Sequence, residues 1–105
     1  MAAVSIPHND PWIVARWAFG RLLDRTAESL VREEDRQALE QAKALDGLHF
    51  DLLTGGQAER IASAMQTAAD QLRSELQEAD EGDPRDAEFA DALAVLEMRL
   101  HDVHE

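Results

Sequence analysis

Along the second half of the chain, apolar side chains return every third or fourth residue. Ala58, Ile61, Ala62, Met65, Ala68, Ala69, Leu72, Leu76 and Ala79 fall on one arc when residues are placed about 100° apart. Phe89, Leu93, Leu96, Leu100 and Val103 follow at spacings of four, three, four and three. That spacing is the seam of an antiparallel helix pair. The intervening DEGDPRD (80–86) is short and polar. The prediction is a C-terminal helix hairpin over 55–79 and 84–103. Asp83-Pro84 marks the start of its second arm, with Asp accepting from free backbone N–H groups and Pro already set to a helical φ. The many alanines on 58–79 let a neighbouring helix approach closely.

Composition points the same way. Glycine (5) and proline (3) are scarce, tyrosine is absent, and Ala, Leu, Glu, Gln and Arg abound. The fold class expected is all-α, a small bundle of about four helices. At 105 residues the chain suits one domain with a modest core. Residues 1–9 read as a flexible N-terminal tail and 10–105 as a single helical domain.

Asp10-Pro11 has the same form as Asp83-Pro84, so a first helix is expected from Pro11 to about Val31. Trp12, Ala15, Ala18, Phe19, Leu22, Leu23 and Leu30 share one arc, with Arg21, Asp24, Arg25 and Glu28 opposite. Glu33, Glu34 and Asp35 suit the first turn of a second helix, where the backbone dipole favours negative charge. That helix would end near Asp46, with Gly47 just past its end. Its apolar Ala38, Leu39, Ala42 and Leu45 are rotated by about 140° from the first arc. A break near 31–35 accounts for the rotation; one continuous helix over 11–46 is the alternative. LHFDLLT (48–54) reads as an irregular or one-turn connector that plugs the end of the bundle with Leu48, Phe50, Leu52 and Leu53.

The paired glycines of LTGGQAER (53–60) do not make a phosphate loop, which needs Gly-Lys-Ser/Thr after a strand. Thr54 and Gln57 instead fit a capping box at a helix start.

The charge is lopsided. Residues 1–50 hold six Lys/Arg against eight Asp/Glu, and residues 51–105 hold four against fourteen, for a total of −12. A field of that sign repels nucleic-acid phosphates and anionic lipid, and suits a basic protein partner. No nucleic acid and no membrane partner is expected. No apolar run approaches the length of a membrane span and no secretory signal is legible, so a cytoplasmic setting is expected. Cysteine is absent, which removes disulfides, thiolate catalysis and Cys-ligated metal.

Candidate sites are few. Glu97, His101 and His104 share one shoulder of the last helix, with His8 or His49 available as a further ligand, and form the one weak metal-site alternative. Surface residues are the plainer reading, and no cofactor is expected. No Ser-His-Asp arrangement or buried carboxylate pair is legible, so the chain is read as not an enzyme. Arg21, Arg25, Arg32 and Arg36 alternate with acids and read as ion pairs, not as a phosphate-binding ridge.

Ile13, Val14 and Trp17 stand apart. At helical spacing they point away from the main arc and need cover from the tail or a second chain. With Arg21 they are the expected partner-binding residues. The leading reading is therefore a non-catalytic protein-binding module, an adaptor, regulator or inhibitor, homodimeric through the first helix. Two alternatives stand beside it. One is an immunity-type or nucleic-acid-mimic inhibitor using Asp80, Glu81, Asp83, Asp86, Glu88 and Asp91. The other is metal chemistry at the C-terminal Glu/His cluster.

Overall fold

The computed structural model describes residues 1–6, 10–53, 55–78 and 84–100. Four helices carry most of it, and a small three-stranded sheet closes one side. Strands β1 (Ala2–Ser5) and β2 (Trp12–Val14) come first, then helices α1 (Arg16–Glu28) and α2 (Glu33–Leu45). Strand β3 (Gly47–His49) and a single 3-10 turn (Phe50–Leu52) lead into α3 (Gly55–Glu78) and α4 (Pro84–Leu100).

The hairpin read from the apolar spacing is present. α3 packs on α4 along one side and on α1 along another. Ile61, Ala62, Met65, Ala68, Ala69 and Leu72 are fully buried on α3, as are Phe89, Leu93, Leu96 and Leu100 on α4. Each large apolar side chain so enclosed contributes about 2 kcal/mol. The alanines keep α3 narrow enough to sit between two helices. Ala79, Val103 and Thr54, with the capping role expected of Thr54, lie outside the described residues. Gln57 donates its side-chain amide to the Glu34 carbonyl at 3.4 Å.

The first helix and the second are separate, as the rotation of their arcs implied. The chain leaves α1 at Ser29 and re-enters a helix at Glu33, with Glu33, Glu34 and Asp35 in the first turn. Phe19, Leu22, Leu23, Leu30, Leu39 and Ala42 are buried, whereas Leu45 is 79% exposed. The residue that takes the left-handed conformation after α2 is Asp46 (φ 55°), not Gly47. Asp tolerates that region because its short polar side chain can bond locally. Gly47 instead opens β3.

Two expectations about the N-terminus fail. Residues 2–5, expected within a free tail over 1–9, are instead the middle strand of the sheet, in the order β2-β1-β3. It pairs antiparallel with β2 and parallel with β3. Ala2 and Val4 are 0% exposed and Ile6 is buried beside them. Nor does a helix begin at Pro11: residues 12–14 are a strand, and α1 begins at Arg16 after an extended Ala15 (φ −62°, ψ 150°). Pro fixes φ near −65°, which serves an extended entry as well as a helical one, so Asp-Pro alone does not decide.

The turn between α1 and α2 is clamped from α3. Asp35 is buried, and its two oxygens accept from Arg60 Nε at 2.9 Å and Nη2 at 3.1 Å. The same guanidinium reaches Glu34 at 3.4 Å. Hydrogen bonding from Arg60 holds the Asp35 carboxyl below its ordinary value of 3.8, against the opposing effect of burial. A lowered carboxyl pKa contributes stability above the unfolded value and loses it as pH falls through the folded one.

Three variants test the strand and the clamp. Val4→Ala should cost about 2 kcal/mol in urea unfolding, a loss that a free tail would not show. Asp35→Asn should be less stable than wild type at pH 7, and the gap should close as pH drops below about 4. Arg60→Ala should destabilise more than Asp35→Asn, because it leaves a buried carboxylate without its donor whereas Arg60 still reaches water.

Candidate protein-contact site

The junction between β2 and α1 puts large apolar side chains into solvent. In a strand, successive side chains alternate between faces. Trp12 and Val14 therefore turn inward, at 3% and 7% exposure, while Ile13 turns outward at 59%. Val14, which helical spacing groups with Ile13, thus turns inward and lines the groove described below without projecting into solvent. Trp17, in the first turn of α1, is 43% exposed, and Met1 is 80% exposed. Arg21 is exposed one turn further along.

Ile13, Trp17 and Met1 border a groove of about 190 Å³ whose other walls include Phe89, Arg85 and Glu88 of α4. Trp17 meets Phe89 edge-on, with ring centroids 5.4 Å apart at 74°. The Arg85 guanidinium lies over the Trp17 ring, 5.9 Å from its centroid. Such contacts hold an indole in place without covering it. The groove is backed by fixed structure: Trp12 donates its indole N–H to the Ala92 carbonyl at 2.7 Å, and Arg99 donates to the Asp10 carbonyl at 2.9 Å. Met1, Arg85, Phe89 and Glu88 enter the groove from two distant parts of the chain. Sequence spacing carries no signal for that, apart from the apolar alternation of Ala2, Val4 and Ile6 that marks β1.

A second, wider cavity of about 580 Å³ lies over the α1–α2 turn, bordered by Leu30, Val31, Arg60, Ala64 and Thr67. Val31 is 90% exposed on its rim. Asp35 at its base is saturated by Arg60 and held ionised, so it lacks the properties of a general base at neutral pH.

Only some of the other sequence candidates fall among the described residues. Glu97 accepts from Arg73, across the α3–α4 seam. His101 and His104 lie outside the described residues, as does His8, and His49 is exposed on β3. Of the acidic set, Asp86 is half-buried and Glu88 and Asp91 are exposed on α4, while Asp80, Glu81 and Asp83 lie outside the described residues. Three of the four ridge arginines are engaged internally: Arg25 with Glu75 at 2.9 Å, Arg32 with Glu34 at 3.6 Å, and Arg36 with the Leu30 carbonyl at 2.9 Å. Among the described residues, no helix is long and apolar enough to cross a membrane. Comparison with protein-family models, curated proteins and solved structures finds no match to this chain.

The two tryptophans should separate spectroscopically. In Trp12→Phe the remaining emission comes from Trp17 and should be quenched readily by acrylamide. In Trp17→Phe the remaining Trp12 emission should be shielded. Trp12→Phe should also cost about 1 kcal/mol in denaturant unfolding, through loss of the bond to the Ala92 carbonyl.

Proposed function

We propose that the chain is a non-catalytic protein-binding module whose contact face is centred on Ile13 and Trp17. The observation that carries this reading is the exposure of these two side chains, 59% and 43%, beside one groove on a rigid backing. Aromatic and aliphatic anchors of this kind dominate the energetics of protein interfaces. Trp17 is pre-positioned by Phe89 and Arg85, so little side-chain entropy is left to lose on binding. The acidic surface and a cytoplasmic setting accompany this reading; the contact itself is apolar at its centre.

The test compares wild type with Ile13→Asp/Trp17→Ala as baits for purified candidate partners and for the chain itself. Affinity should drop roughly a hundredfold or more in the double variant, because two interface anchors are removed. Far-UV circular dichroism and the urea midpoint should stay close to wild type. Equal binding by both baits would remove the face from the proposal.

A further inference from the structure

The backbone of β2 determines what suits this face. The Ala3 N–H donates to the Asp46 carbonyl at 3.0 Å, so Ala3 turns its backbone groups toward β3. N–H and C=O groups alternate sides along a strand, so Ala2 and Val4 turn theirs toward β2. The registered pairs Ala2↔Val14 and Val4↔Trp12 are then the hydrogen-bonded ones. Ile13, opposite Ala3, must turn its N–H and C=O away from the sheet, along an edge that no other strand occupies among the described residues. Pro11 and Ala15, two residues to either side, share that orientation. Pro11 has no N–H to offer. The Ala15 carbonyl already accepts from the Phe19 N–H at 3.0 Å.

We infer that a second copy of this chain pairs with it through β2, antiparallel, about a two-fold axis at Ile13. This rests on the contact-face reading above and names its occupant. In that register Ile13 faces Ile13 of the partner subunit, and each donates an N–H to the other's carbonyl. Two residues out, each Ala15 N–H donates to the carbonyl of the other copy's Pro11. The reverse bond at that position would need the N–H that proline lacks and the carbonyl that Phe19 occupies. Every outward donor therefore meets an open acceptor, and no group on the edge is left over. A foreign strand could supply the same bonds, but here the five residues Pro11–Ala15 supply both halves. This is the self-complementarity that a two-fold interface requires.

Charge opposes this association, because each chain carries −12. That repulsion acts at long range, and salt screens it with a Debye length near 10 Å at 0.1 M. Association should therefore strengthen with added salt.

The test is sedimentation of the full chain from about 10 to 500 µM, at about 0.05 and 0.5 M NaCl, with residue-resolved amide exchange on the same samples. The expected result is a monomer–dimer equilibrium that shifts toward dimer in high salt. Exchange at Ile13 and Ala15 should slow with concentration, while Trp12 and Val14 are protected at every concentration. Ile13→Pro removes the central donor and should weaken the dimer roughly tenfold or more. Ile13→Asp should do the same while keeping the backbone N–H, and it covers the case in which proline disturbs β2. A monomer throughout, or a dimer in which the Ile13 amide exchanges as freely as in the monomer, overturns the strand pairing. If that happens while Ile13→Asp/Trp17→Ala still loses a foreign partner, the contact-face reading survives alone; if no binding depends on these residues, both fall.

Discussion

The backbone groups of Ala2–Ser5 must be satisfied on two sides at once, and most of the architecture outside the helix hairpin follows from how that is done. A buried N–H or C=O without a partner costs as much as a lost hydrogen bond, so a strand with fully enclosed side chains needs a neighbour on each flank. The neighbours available are the segments immediately before α1 and immediately after α2. Holding those two segments against one strand fixes where both helices begin and end. It places Asp46 in its left-handed turn, because the chain must reverse there to bring Gly47 alongside Ala3. It also sets which faces of β2 are inner and outer. The exposure of Ile13 is thus a consequence of the pairing of a strand ten residues away.

The second constraint is the clamp on the turn between α1 and α2. Three acids in succession give α2 a favourable first turn but crowd negative charge at a place where the chain must pack on α3. Arg60 resolves this by taking both oxygens of Asp35 and approaching Glu34. A bidentate guanidinium is suited to the task because its donors are fixed in the geometry a carboxylate accepts. A buried pair of this kind is weak support for overall stability, since desolvation offsets the attraction. Its contribution is in specifying position: it ties the first turn of α2 to α3 by placing Asp35 opposite Arg60.

The helices were legible in the sequence because burial on one side leaves a 3.6-residue rhythm. Phe89, Leu93, Leu96 and Leu100 could be placed from spacing alone, and the rotation between the arcs of 12–30 and 38–45 located the break. The sheet was not. Ala2, Val4 and Ile6 do alternate with Ala3 and Ser5, but four residues of small side chains carry little signal against the prior that chain ends are free. Asp10-Pro11 then supplied a helix start that the structure does not use. Helical spacing points Ile13 away from the core, and it does face solvent, but by strand alternation. Val14 separates the two explanations: helical geometry would leave it with Ile13, and pleated geometry buries it. The groove was beyond reach, since Met1 and Phe89 meet only through long-range pairing.

An edge strand with an exposed isoleucine is ordinarily a hazard, because open backbone groups recruit other strands without limit. Here the edge is short and bounded. Proline at position 11 removes a donor on one side, and the start of α1 consumes an acceptor at position 15 on the other. What remains is the N–H and carbonyl of Ile13, flanked by the Pro11 carbonyl and the Ala15 N–H. A third chain could not extend the array across β2, and at the far side of the sheet β3 is also only three residues long, with an exposed histidine. The high negative charge adds a penalty that grows with each chain added. Together these features would hold the proposed pairing to a closed dimer.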